Sequence, residues 1–239
     1  MFNSEGKKSI ENDAWWYYEP PPTAYDLIGN NILTNFLRPI LYVALRMYFR
    51  YVHCVIISGY KPSYARQPFI IVANHSSHLD TPLLFSCFPF SKVNKLRAVA
   101  ALDYFFTHTV TRVSGHLLCN IIPISRKSAD FIAFSLCNKI LQSGSSIIVY
   151  PEGTRTRDGK MGDFKAGIGI LVKKTKVPVL PVYIQGTYEC FDYKRLLPRG
   201  GMIRVWFGEP IVFDEQQLRE MNHRDITECI QKAIVALGQ

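Results

Sequence analysis

Seven short apolar runs separated by stretches of helical periodicity restrict this chain to an α/β fold. The runs are residues 55–58, 69–73, 97–101, 121–124, 146–150, 179–184 and 203–207. Between them, residues 81–88, 104–113, 129–142 and 168–174 repeat their apolar positions at helical spacing, and residues 223–237 close the chain as a helix. Strands that alternate with helices pair in parallel, because a crossover helix returns each strand to the same edge. The expectation is a single domain with a mixed, largely parallel central sheet flanked by helices. With 48% hydrophobic residues in 239, the chain has enough apolar surface to bury such a core.

The N-terminal part reads differently. Residues 1–23 read as an extended arm, with Trp15, Trp16, Tyr17 and Tyr18 ahead of Pro20, Pro21 and Pro22. Clustered Trp and Tyr suit a bilayer interface, or equally a protein surface. Residues 24–53 read as two helical pieces split near Arg38 and Pro39, with Pro39 in the first turn of the second. At 100° per residue Arg38, Arg46 and Arg50 fall at about 0°, 80° and 120°, leaving an apolar remainder. This pair of helices is expected to lie in a membrane interface as an appendage to the α/β body at residues 54–239. No run reaches the ~18 apolar residues of a spanning helix.

Charge supports a surface of that kind. The 28 Lys and Arg exceed the 19 Asp and Glu by nine, and residues 27–79 contain no acid at all. A purely cationic and apolar stretch fits an anionic bilayer better than nucleic acid, which is not an expected partner. None of the six cysteines has metal spacing, and the N-terminus has no secretory apolar segment. A reducing compartment and the cytoplasmic face of a membrane are therefore expected.

Two strand ends carry the chemistry-bearing residues. His75 follows the run 69–73, and Asp80 lies five residues further on. On one continuous helix these side chains would stand about 140° apart and never meet. They meet if residues 74–79 turn and Asp80, before Thr81 and Pro82, opens the next helix as its cap. A carboxylate on one ring nitrogen would then leave the other able to take a proton. Two other roles fit the same residues. Asp80 serves as a cap beside a loop histidine, or His75, His78 and Asp80 ligate the metal of a hydrolase. No G-x-S-x-G elbow is present, so a dyad would activate a hydroxyl of the substrate itself. At the end of the run 146–150 come Pro151, Glu152, Gly153, Thr154, Arg155, Thr156 and Arg157, with Lys165 downstream. The arginine forks match phosphate, and Gly153 allows a tight turn. Arg126 places one more cation after the run 121–124.

In order and spacing these segments resemble the glycerolipid acyltransferase family, over roughly residues 55–210. Asn74, His75 and Asp80 match its N-H-x4-D motif, and residues 115–126, ending in Arg126, loosely match its second. Pro151 to Arg155, then Phe164, Lys165 and Gly167, match P-E-G-T-R-S and F-K-x-G, with Thr156 in place of Ser. Val177, Pro178, Val179, Leu180, Pro181 and Val182 match the fourth motif. The resemblance implies that His75 deprotonates the hydroxyl of a lysolipid acceptor, lysophosphatidic acid or a relative. Asp80 orients it, and acyl-CoA or an acyl-carrier protein supplies the acyl group. It further implies that Arg126 and Arg155 hold an anionic headgroup in a pocket shaped by Glu152, Gly153 and Thr154, with Lys165 beside it. Pro178 lines the acyl site, and no cofactor is needed. A lipid-binding module without turnover is the non-enzymatic alternative. One departure concerns the headgroup. Members that use lysophosphatidate commonly carry a lysine in a pattern like A-K-x-E-L, whereas residues 100–105 read Ala-Ala-Leu-Asp-Tyr-Phe.

Overall fold

The computed structural model describes residues 32–101, 121–124 and 129–239. The expected arm at 1–23, the helix at 104–113, the segment that departs from the lysine pattern beyond Ala101, and Arg126 lie outside these residues.

The described residues form one seven-stranded sheet: β1 (His53–Ser58), β2 (Ile70–Ala73), β3 (Leu96–Ala101), β4 (Ile121–Ile124), β5 (Ser146–Val149), β6 (Val179–Gln185) and β7 (Gly201–Phe207). The order across the sheet is β1-β7-β6-β2-β5-β3-β4. Every pairing is parallel except that of β6 with β7. The mixed, largely parallel sheet is as expected. The one antiparallel pair has a further consequence: β1 and β7 start at the edge where β2, β5 and β6 end.

The helices are α1 (Ile32–Tyr51), α2 (Asp80–Cys87), α3 (Phe90–Val93), α4 (Ala129–Gln142), α5 (Gly167–Thr175), α6 (Thr187–Cys190), α7 (Glu215–Glu220) and α8 (His223–Leu237). The alternation of strand side chains divides the core into two layers. Ile71, Ala73, Ile148, Leu180 and Val182 face α1 and α2, while Ile70, Val72, Ile147 and Val179 face α5 and α8. Both faces of β2 are fully buried, which explains its continuous apolar run. The short helices α3, α6 and α7 escape detection by periodicity because each spans less than two turns.

The N-terminal segment differs from expectation in two ways. Pro39 lies inside a single helix rather than at the start of a second. An internal proline costs about 3 kcal/mol. Around it, Phe36, Leu37, Ile40 and Leu41 offer no turn-forming residue at which the chain would leave the helix. In addition, α1 shares the core of the α/β body. Tyr42 and Phe49 are buried against α2 and its neighbours, and Tyr42 Oη donates to the Phe88 carbonyl. Among the described residues no helix is long and apolar enough to cross a membrane.

Candidate active site

At the end of β2 the chain leaves the sheet without breaking its ladder. The buried Asn74 side chain takes the place of a peptide: Oδ1 accepts from the Ile184 N–H at 2.8 Å and Nδ2 donates to the Ile184 carbonyl at 2.9 Å. The backbone of β6 is thereby satisfied while His75 turns out of the plane. His75 is clamped from both sides by the loop that follows β5. Its N–H donates to Glu152 Oε1 at 2.6 Å, and its carbonyl accepts from the Thr156 N–H at 3.0 Å. Glu152 Oε2 accepts from the Gly162 N–H at 2.8 Å. Burial pushes the Glu152 carboxyl above its ordinary range, against the opposing pull of the Gly162 and His75 N–H groups.

Residues 76–79 turn, and the five-residue spacing closes. His75 Nδ1 lies 2.9 Å from Asp80 Oδ2. The Asp80 side chain is wholly buried, whereas that of His75 keeps 20% exposure. Asp80 opens α2 but is not its cap: Leu79 holds the cap position, and the carboxylate turns back onto the loop. Oδ2 accepts from the Ser76 and Ser77 N–H groups at 2.7 and 2.8 Å, and Oδ1 from Thr187 Oγ1 at 2.6 Å. With its hydroxyl proton committed to Asp80, Thr187 accepts from Ser76 Oγ at 2.9 Å. Three of the four Asp80 partners are N–H or O–H donors, so both Asp80 oxygens serve as acceptors. Nδ1 of His75 matches these accepting oxygens as an N–H donor, which leaves Nε2 as the acceptor of the ring. The Tyr150 ring stacks on the imidazole with centroids 4.0 Å apart, and its hydroxyl is 3.0 Å from Thr81 Oγ1.

These commitments bear on the metal alternative. Nδ1 of His75 and both oxygens of Asp80 are engaged with each other and with N–H and O–H donors, so the pair does not converge with His78 on an ion. Among the described residues no group of three or more His, Cys, Asp and Glu is arranged to hold one. His78 stays neutral: burial first, then the Arg155 charge, lowers its pKa to about 4.

The cations gather unevenly. Gly153 takes a φ of +72°, and a Cβ there would stand 2.6 Å from Lys165 Nζ, so the lysine lies over the Gly153 backbone. The Lys165 N–H donates to the Pro151 carbonyl at 3.0 Å. Arg155 is half-buried near His78, and Thr154 is exposed. Glu152, Gly153, Arg155 and Lys165 thus stand around the dyad. Pro178 does not. Its carbonyl accepts from the Ile70 N–H at the start of β2, the opposite end of the strand from His75. Sequence reasoning missed Thr187, Ser76 and Ser77 as supports of Asp80. The only local signal for Thr187 was its place after Gly186 at the end of an apolar run.

The His75–Asp80 pair thus stands on the loop past β2, tied to the loop past β5 through Glu152, and the Acyltransferase family model matches residues 54–185. The chain belongs to that family. Similar proteins include the 1-acyl-sn-glycerol-3-phosphate acyltransferase of Borreliella burgdorferi, 30% identical over 186 residues, 76% of this chain and 70% of that one. The chloroplastic 1-acyl-sn-glycerol-3-phosphate acyltransferase BAT2 of Brassica napus is 26% identical over 60% of this chain and 41% of its own length. The chain spans about two fifths of the length of that relative and of its Arabidopsis thaliana counterpart. The crystal structure of the 1-acyl-sn-glycerophosphate acyltransferase PlsC from Thermotoga maritima has the same fold, with a TM-score of 0.64 at 22% identity, over 90% of this chain and 84% of that one.

Proposed function

We propose that this acyltransferase moves a fatty acyl group from the thioester of acyl-CoA or an acyl-carrier protein to the free hydroxyl of a lysoglycerolipid, with lysophosphatidic acid the first candidate. The observation that carries the reading is the bond from His75 Nδ1 to the buried Asp80 carboxylate, which makes Nε2 the base. His75 takes the hydroxyl proton as the oxygen attacks the thioester carbonyl. The C–S bond of the tetrahedral intermediate then breaks, and the imidazolium returns its proton to the departing thiolate. Asp80 stabilises the imidazolium, and Tyr150 adds the negative face of its ring. No acyl-enzyme forms and no cofactor enters. Arg155 and Lys165, with Arg126, are offered to the headgroup phosphate, and the names of the relatives favour a glycerol 3-phosphate acceptor. The reaction would take place at the cytoplasmic face of a membrane, which the protein would meet through α1. Five residues of α1, Phe36, Ile40, Val43, Met47 and Tyr51, stay exposed along one stripe, supporting that orientation.

The test incubates the protein with mixed lysolipids and labelled acyl donors and reads the products by mass spectrometry. A diacyl product is expected, and His75→Ala should lower its rate by about 10²–10⁴-fold with the fold retained. A His75→Ala protein of full activity, or a wild type that acylates no lysolipid from either donor, overturns the reading. The missing lysine at residues 100–105 makes competition between lysophosphatidic acid and other lysolipids the informative comparison.

A further inference from the structure

Leu196 and Leu197 are 91% and 75% exposed, side by side in the segment joining α6 to β7. Single exposed leucines are ordinary. This pair is distinguished by where it stands and what surrounds it. The segment is pinned rather than loose: the Lys194 N–H donates to Asp192 Oδ1 at 2.7 Å, and the Arg199 N–H to the Cys190 carbonyl at 2.9 Å. Its start belongs to the site. Thr187 holds Asp80, Ser77 Oγ donates to the Phe191 carbonyl at 2.7 Å, and the Phe191 ring lies 5.9 Å from that of His78. Its end adjoins α1. A Cβ on Gly200 would fall 2.7 Å from the Val52 carbonyl oxygen, and Gly201 pairs with His53. The leucine pair therefore sits between the dyad and the C-terminal end of α1, on the same sheet edge.

Charge names the occupant. Lys194, Arg195 and Arg199 flank the leucines, against Asp192 alone within residues 191–200, and all three cations are exposed. Arg195 Nε bonds Asp192 at 3.1 Å and Arg199 Nε the Glu189 carbonyl at 2.9 Å, which holds both guanidinium groups close to the leucines. On α1, Arg50 is exposed beside the apolar stripe. We infer that the Leu196–Leu197 tip docks into an anionic lipid interface, with Lys194, Arg195 and Arg199 at the headgroups, as a second contact beside α1. Leucines between cations fit such an interface: the apolar tip leaves water while the charges meet lipid phosphate. The inference rests on the proposed lysolipid acceptor and deepens it, since this contact would set the mouth of the site against the surface from which the acceptor comes.

The experiment uses the full chain and phosphatidylcholine vesicles with or without phosphatidylglycerol. Leu196→Ser/Leu197→Ser should weaken sedimentation with anionic vesicles by about tenfold. Its kcat/KM for vesicle-borne lysolipid should fall equally, while that for a short-chain lysolipid dissolved as monomer stays within about twofold. Leu196→Trp/Leu197→Trp should bind at least as tightly as wild type, with a blue shift in tryptophan emission. Unchanged binding of the serine variant, equal wild-type binding to neutral and anionic vesicles, or a leucine-dependent dimer in gel filtration overturns the inference. Vesicle binding needs no turnover, so the two readings fail separately. A wild type that binds through the leucines but acylates nothing sinks the function alone. One that acylates vesicle lysolipid regardless of the leucines sinks the docking alone.

Discussion

His78 and His75 stand three residues apart in one turn and have different neighbours. His75 faces the buried Asp80 carboxyl, with Nδ1 2.9 Å from Oδ2. His78 is half-buried beside Arg155 and is held neutral, with its pKa lowered from 6.5 to about 4. The unfolded chain takes up this proton near 6.5 and the folded protein only near 4, so between those values the unfolded state binds more protons. The stability tied to neutral His78 is thus complete above about pH 6.5 and drains away as the pH falls toward 4. His78→Gln should flatten that part of the plot of Tm against pH, as followed by circular dichroism. An unchanged slope would show that His78 titrates alike in both states. The sequence placed His75 and Asp80 within reach of each other, but it left Asp80 as a helix cap among the open roles. Leu79 takes the cap because Asp80 has three better donors in the loop and on α6.

At the scale of elements, the site is built from three strand ends tied by side chains standing in for backbone. Asn74 continues the β2–β6 ladder one step past the strand, and Glu152 fastens the loop after β5 to His75. Asn74→Ala would leave the Ile184 N–H and carbonyl, which are buried, without partners. The expected cost is about 2–4 kcal/mol, measurable by chemical denaturation, with a lower kcat as His75 loses its anchor. A stability within error of wild type would mean that water takes over both bonds. The strands and long helices were legible because apolar periodicity is a local property of the chain. The Asn74 and Glu152 ties were not, since each joins residues more than seventy positions apart. Pro178 shows the same limit. The motif it belongs to marked β6 correctly, but only the strand's direction shows that Pro178 lies at its far end.

At the scale of the whole molecule, α1 has two apolar faces with different partners. The inner one, through Tyr42 and Phe49, completes the core. The outer one remains exposed. Phe49→Ala should therefore cost about 3–5 kcal/mol of stability and leave vesicle binding by the folded protein intact. Ile40→Ser/Val43→Ser should do the reverse, changing stability by no more than about 0.5 kcal/mol per site while weakening binding to anionic vesicles. Thermal melts and vesicle sedimentation on the same proteins check both. A Phe49→Ala protein as stable as wild type would show that α1 is a separable appendage after all. The continuous helix explains why residues 24–53 read as a purely membrane-associated unit: a helix apolar on both sides carries no mark of which side meets protein.

The sequence by itself determined the α/β class, the places where strands end, the dyad and the cationic loop beside it, because each depends on periodicity or on motifs within a few residues. Tertiary structure alone decided the rest. It reversed β7 against β6, and so brought α1, the Leu196–Leu197 segment and the sheet edge that carries His75 together. It gave Asp80 its partner Thr187 from a distant strand end, and it put one face of α1 into the core. Each of these is a contact between segments remote in the chain, and such contacts form only when burying both surfaces at once lowers the free energy of the whole fold.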